Sequence, residues 1–441
     1  MKVLVVGSGG REHALVWSLT QTASSRLDLF CAPGNAGIAE LAKCVGIPVD
    51  DHDALVTFVK DEGIDLTIVG PEAPLAAGIV DKFENLGLKI AGPNGAAARL
   101  EASKAFAKHF MARHGIPTAA FSVVDSPAAV AKVLASGEFG PDDSPVVLKA
   151  DGLAAGKGVV VVSSHAEARA AAAQMVAGDL IDPAAAQQIV VEEVLVGTEV
   201  SLLLFADGRN YALMPAARDH KRIGEHDTGP NTGGMGAITD SSILSPELQA
   251  RVVREIVEPT LGGAREDGFP FRGILFLGLM LTKEGPKLLE YNVRFGDPET
   301  QAILVRLKTS LVDIFQATIT GNLDQIQIEW SDDSSACVVL ASRGYPGKYE
   351  KGKVIAGLDA PDLGSRAIVF HAGTARAASG ELITDGGRVL GITASGITLS
   401  DALSSCYTAA QNISWDGVQF RRDIGHFSEA RSKTGNPTGN A

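Results

Sequence analysis

Only four cysteines, Cys31, Cys44, Cys337 and Cys406, are found in 441 residues. They are scattered and form no Cys-x-x-Cys pair, so reduced core thiols are expected rather than disulfides or a thiolate metal centre. The chain has no surplus of positive charge either. A formal net charge of −13 leaves no basic surface for nucleic acid or an anionic membrane. No apolar run approaches the ~20 residues needed to span a bilayer. Residues 1–6 enter a strand at once, without the charged and apolar regions of a secretory leader. A soluble, cytoplasmic protein follows, with neither nucleic acid nor membrane as partner.

What is present is ordinary globular sequence, 45% apolar and 21% charged. Its length exceeds what one hydrophobic core serves, so about two to four domains are expected. Residues 3–6 are a continuous apolar run, as in a parallel strand buried on both faces. Gly7-Ser8-Gly9-Gly10-Arg11-Glu12-His13 and a helix follow. Backbone N–H groups at a helix start can hold a phosphate. Glu12 stands where a dinucleotide fingerprint needs Gly or Ala, and no acid closes the second strand near residues 27–31. A nicotinamide oxidoreductase is therefore disfavoured, leaving a small phosphorylated substrate or a purely structural glycine turn. Further short strands over 65–69 and 88–91 end in Gly/Pro turns. Ligands bind outside strand ends in open α/β sheets, which makes Asn35 and Glu72 candidate substrate contacts.

A helix around Ser103 carries Lys104 and Lys108, residues that by themselves read as a solvated face. Strands over 146–149 and 159–162 bracket Ala150-Asp151-Gly152-Leu153-Ala154-Ala155-Gly156-Lys157-Gly158, a glycine-tipped hairpin. Its N–H groups and Lys157, with Lys149 on the strand, suit nucleotide phosphates; a glycine-rich solvent hairpin is the bland alternative. The strand over 188–194 exits into an exposed linker whose backbone can meet an adenine edge, with Glu199 placed for ribose hydroxyls. Residues 216–236 read as one long loop carrying Asp219 and a glycine-rich run, a length usual for binding loops. A helix is expected over 246–261 and a strand over 273–281. In the strand over 287–293, Glu290 and Asn292 project from one face. A carboxylate and an amide oxygen side by side suit a hard cation such as Mg²⁺. Arg294 on the same face could grip phosphate or carboxylate. Beyond residue 330 the strands read as a separate small domain, and 428–441 as a polar tail.

Lysines on successive segments, a glycine-rich hairpin, a hinge strand and a Glu-x-Asn strand, in that order, resemble the ATP-grasp ligases. Four stretches carry the resemblance further, to the phosphoribosylamine–glycine ligase family: residues 7–13, 149–158, 229–236 and 292–301. Phe370-His371-Ala372-Gly373-Thr374 and Arg421-Arg422-Asp423-Ile424-Gly425 join them. The likeness extends from residue 1 to about 427. It departs after Gly236 and in the hinge, which is more apolar than the usual form. Many other ATP-grasp enzymes place a metal carboxylate on the strand before Glu-x-Asn, yet residues 274–281 contain no acid.

The resemblance implies an α/β and α+β multidomain fold. Its parts would be an N-terminal open parallel sheet (1–100), an ATP-grasp region (101–328, with a phosphate lid about 120–193) and a C-terminal α+β domain (329–427). It implies ligation of glycine to 5-phosphoribosylamine, giving glycinamide ribonucleotide, ADP and phosphate through glycyl phosphate. The cofactor would be Mg²⁺ or Mn²⁺ with ATP as co-substrate, and the chain is expected to be a monomer. Glu290 and Asn292 would hold the metal, and Lys104, Lys149 and Lys157 the ATP phosphates. Glu192 and Val194 would meet adenine through backbone, and Glu199 the ribose. Arg294 would stabilise the transferred phosphoryl, and Asp219 would bind the glycine amine. Gly9, Gly10, Glu12, Asn35 and Glu72 would receive phosphoribosylamine. The rivals are another ATP-grasp carboxylate–amine ligase and a nucleotide-binding regulator without turnover.

Overall fold

A computed structural model describes residues 1–153, 158–178, 187–360 and 367–427. The glycine tip with Lys157 and the expected tail lie outside the described residues. A five-stranded parallel sheet comes first, in the order Lys43–Cys44, Asp28–Pro33, Lys2–Gly7, Leu66–Val69, Ile90–Ala91. Val3, Leu4, Val5 and Val6 are fully buried, because helices cover both faces of such a sheet and an apolar run satisfies both. The strand order reverses beside Lys2–Gly7, opening a crevice outside the strand ends. Helix Gly10–Thr22 starts at that crevice. The two-residue strand Lys43–Cys44 was not anticipated, being too short to show any period.

The second layer is a four-stranded antiparallel sheet, ordered Phe121–Val124, Ile189–Glu193, Val146–Ala150, Val159–Val162. The expected hairpin is present, with Lys149 opposite Val159. Helices Pro127–Ala135 and His165–Ala177 back it through Val130, Leu134, Ala172 and Met175.

A ten-stranded antiparallel sheet faces that layer. Its main path runs Gly285–Asn292, Arg272–Thr282, Thr198–Asp207, Ala217–Asp219, Gly236–Thr239, Ser334–Ser342, Arg388–Gly396, Ile368–His371. The C-terminal α+β unit is thus joined to the central region by backbone pairing, Gly236–Thr239 against residues 335–338. Helix Leu399–Asn412 covers it through Ala402, Cys406, Ala409 and Ala410.

Two expectations need correcting. Residues 216–236 are no single loop: they contain strands Ala217–Asp219, Arg222–Gly224 and Thr228–Asn231. Strands of three or four residues interrupted by glycine carry no readable alternation. The helix expected to end at 261 continues to Glu266, with a π-helical segment Val253–Val257 inside it. Pro259 lacks the N–H that a regular ladder needs at that point. All four cysteines are free, and three are buried. Among the described residues no helix is long and apolar enough to cross a membrane.

Candidate active site

Strand Gly285–Asn292 carries a bulge, the pairing with its neighbour jumping from Gly278↔Glu290 to Leu279↔Leu288. Leu289 is therefore the extra residue. A bulge re-aims the side chains that follow it, and it leaves the Leu289 carbonyl free to accept from Lys149 Nζ at 3.1 Å. Beyond it Tyr291 is buried while Glu290 and Asn292 are half-buried, so the two project together. Burial opposes ionisation of Glu290, but Lys221, Lys149, Lys104 and Arg294 together hold its carboxyl below the usual range. A nearby cation favours the charged form.

Lys104 opens helix Lys104–Arg113, whose N-cap Ser103 accepts from Phe106 N. Asp151, at the base of the hairpin, accepts from Ser103 Oγ at 2.8 Å and Ala105 N at 2.7 Å. Lys104 Nζ donates to Gly152 O at 3.3 Å. Burial lowers the pKa of this ammonium, with Glu290 opposing. Lys149 enters from the other sheet and is also buried. Its neighbour is Glu192, whose side chain is buried and lies 3.0 Å from Lys149 and 3.1 Å from Lys108. Lys108 had read as part of a solvated face; it is 2% exposed.

Arg294 is gripped on several sides. Its Nε donates to Glu72 at 3.2 Å, its Nη2 lies 2.8 Å from Glu101 and 3.3 Å from Asn292 Oδ1, and Nη1 donates to Phe295 O. Burial would lower the guanidinium pKa, but Glu101 and Glu72 raise it, so the charge is permanent. Glu72, expected as a substrate contact, is thus first a partner of Arg294. Glu101 was missed by sequence reasoning. It sits in an alanine-rich helix and also accepts from Val293 N at 2.7 Å.

At the other end of the cleft, Glu12 accepts from Gly9 N at 2.5 Å and from Arg11 Nε at 2.6 Å. Gly70 lies so close that a Cβ there would come within 2.0 Å of Glu12 Oε1. Asn35 donates to Ser8 O and His371 O at 2.8 Å, and accepts from Gly37 N and Ile38 N. Both side chains, expected as substrate contacts, are committed to shaping the loop. Gly10 touches the Arg294 segment, since a Cβ there would meet Gln301 Nε2 at 2.6 Å. The loop therefore packs against helix Glu299–Leu304, and Arg11 donates to Phe295 O beside Arg294 at 3.1 Å.

The hinge, residues 194–197, links Ile189–Glu193 to Thr198–Asp207. Val194 is half-buried there, and Gly197 crosses the Leu281 carbonyl with no room for a Cβ. Glu199 Oε2 accepts from Lys221 Nζ at 2.8 Å. Asp219 is half-buried on its strand, and burial raises its carboxyl pKa, Lys221 opposing. Glu299 is raised by burial and then by Asp219, and lies 3.4 Å from Ser201 Oγ. Lys221 and Glu299 were also missed; only their long-range neighbours give them away.

Among the described residues no group of three or more His, Cys, Asp or Glu could hold a metal. The donor set on offer is one carboxylate and one amide oxygen, with Glu290 kept ionised by its surroundings. Two hard oxygens fit a cation that completes its shell with water and phosphate.

Two antiparallel sheets closing on a lysine-rich cleft, beside an open parallel sheet, define the ATP-grasp class. The biotin carboxylase domain of Hydrogenobacter thermophilus 2-oxoglutarate carboxylase, solved with MgADP, shares the fold. The match has a TM-score of 0.68 at 16% identity, covering 95% of this chain and 91% of that one. The models of the phosphoribosylglycinamide synthetase N domain, ATP-grasp (A) domain and C domain match residues 1–101, 102–300 and 335–427. The chain belongs to this family. A phosphoribosylamine–glycine ligase of Xanthomonas axonopodis pv. citri is 49% identical over 437 residues, 98% of this chain and 99% of that one. The Thermotoga maritima phosphoribosylamine–glycine ligase crystal structure matches with a TM-score of 0.83 at 34% identity, covering 96% and 100%.

Proposed function

We propose that the cleft joins glycine to 5-phosphoribosylamine, converting ATP to ADP and phosphate and releasing glycinamide ribonucleotide. The carrying observation is full-length membership of the family, combined with Glu290, Asn292, Lys104, Lys149 and Arg294 on the walls of one cleft. A carboxylate is a poor electrophile. Its oxygen takes the γ-phosphoryl group from ATP, giving glycyl phosphate and ADP. The phosphoribosylamine nitrogen then attacks the acyl carbon; the C–O bond to phosphate breaks and the nitrogen gives up a proton. No nucleophilic side chain is required, so the work is positioning and charge neutralisation.

Lys104 and Lys149 meet the ATP phosphates, and the backbone at Glu192 and Val194 meets adenine. Glu199 takes the ribose. Arg294, held rigid by Glu72 and Glu101, faces the transferred phosphoryl group, where a fixed guanidinium acts without reorganising. Asp219 takes the glycine ammonium. Gly9, Gly10 and Glu12 with Asn35 and Glu72 shape the phosphoribosylamine end. Glu290 and Asn292 would hold Mg²⁺ or Mn²⁺, which supplies charge neutralisation on the phosphate oxygens. The units divide at about residues 100 and 328, with the lid over about 120–193. The protein acts in the cytoplasm as a monomer in purine biosynthesis.

The test is ADP release from ATP with glycine and freshly made phosphoribosylamine, each omitted in turn. Release that needs both, and is lost in Glu290→Ala, is expected. Release that ignores glycine but answers to another small acid would transfer the reading to a different carboxylate–amine ligation.

A further inference from the structure

The Lys108, Glu192 and Lys149 side chains form a buried row that the reaction scheme leaves half unused. Glu192 is 1% exposed and Lys108 2% exposed. Lys108 lies 3.1 Å from Glu192 Oε2, and Lys149 lies 3.0 Å from Glu192 Oε1. The two lysines are held differently. Lys108 Nζ donates to Thr118 Oγ1 at 2.7 Å, and that hydroxyl donates to Leu288 O at 2.6 Å. A backbone bridge also pairs Thr118 with Leu288 on strand Gly285–Asn292, so Lys108 is anchored. Lys149 donates to the bulged Leu289 carbonyl at 3.1 Å and lies on the hairpin strand, whereas Lys108 is tied at 2.7 Å to a hydroxyl that is itself bonded. Lys149 is the less tightly anchored of the two.

We propose that Lys108 is a positioning residue of the nucleotide site. It pairs with Glu192, so that Lys149 can leave that carboxylate for the phosphates of ATP. Without the Lys108 charge, a buried carboxylate would have Lys149 as its one remaining ion-pair partner among the described residues and would retain it. Burial pushes the Lys108 ammonium down to about 8, with Glu192 opposing the shift. An uncharged Lys108 would fail in the same way. This rests on the reading that Lys149 serves ATP.

The test compares the full-length chain with Lys108→Met, Glu192→Gln, the double variant and Lys149→Met. Steady-state ADP release and the thermal midpoint are measured for each. Lys149→Met checks the underlying reading and is expected to raise the KM for ATP; no change there refutes that reading separately. Lys108→Met is expected to raise the KM for ATP about tenfold, leaving kcat and the KM for glycine within about threefold. Adding Glu192→Gln to Lys108→Met should bring the KM for ATP back to within about threefold of the parent. A merely structural lysine would instead lower the midpoint with no selective effect on ATP, and the double variant would recover nothing. Either result overturns the proposal. If Lys108→Met does not fold, Thr118→Val removes the anchor, together with the hydroxyl's bond to Leu288 O, and should still raise the KM for ATP selectively; an unchanged KM overturns it.

Discussion

At the Gly7–Glu12 end the polar side chains are held chiefly by neighbouring backbone, whereas at the Lys104–Glu290 end lysines that each donate to a single carbonyl or carboxylate crowd around one acid. Glu12 caps its own helix through Gly9 N, and Asn35 uses both amide atoms on backbone. Lys104, Lys149 and Lys221 instead crowd around Glu290. The first arrangement is a frame whose shape is complete beforehand. The second is a store of charge that a polyanion can redistribute. On the proposed function, a small phosphorylated amine would be met by a preformed loop, and a nucleoside triphosphate by charges that must exchange their present partners.

The most damaging break in this comparison is at the charged end. Glu290→Ala should lower kcat roughly 10²–10³-fold in the ADP-release assay, and an effect under tenfold would mean the acid is dispensable. Acid should loosen both ends through buried neutral histidines. Burial lowers His13 to about 3 and His220 and His371 to about 4, from an ordinary 6.5. The unfolded chain binds these protons first, so their stabilisation is complete above about pH 6.5 and falls as pH drops toward 4. At pH 5.5 the three together give roughly 4 kcal/mol of loss. Asp219 and Glu299, raised by burial, act in the opposite sense and offset part of it. Thermal melts at pH 7.5 and 5.5 measure the net effect, and equal midpoints would contradict it.

A subtler test sits in the frame. Gly70→Ala drives a Cβ into Glu12 and should raise the KM for phosphoribosylamine about tenfold, or about 1.4 kcal/mol, with the KM for ATP unchanged. A matching rise for ATP would show that the two ends are not independent. Smallest of all, Ser103→Ala removes a helix cap and its tie to Asp151. It should destabilise by about 1 kcal/mol in denaturant titration.

Much of this was readable beforehand. The Lys2–Gly7 strand, the hairpin carrying Lys149 and the Glu290/Asn292 pair all follow from local pattern. The missing pieces depend on residues distant in the chain. Nothing near Lys108 announces that Thr118 and Glu192 will enclose it, and no period betrays the bulge at Leu289. Glu101 and Glu299 are indistinguishable from surface acids until Arg294 and Asp219 are brought beside them. Asn35 and Glu72 were found for a sound reason, their place after strand ends, but side-chain valence is visible only in three dimensions.

The ten-stranded sheet also dictates an order of assembly on the ribosome. The parallel sheet can close once Ala91 has emerged. Strand Gly236–Thr239 must wait for a partner that begins at Ser334. At ordinary translation speeds that gap corresponds to about 5–20 s, during which a row of backbone donors and acceptors stays open to any neighbouring chain. Nascent-chain protection, rather than the stability of the finished enzyme, is where a slow codon or a missing chaperone would be felt.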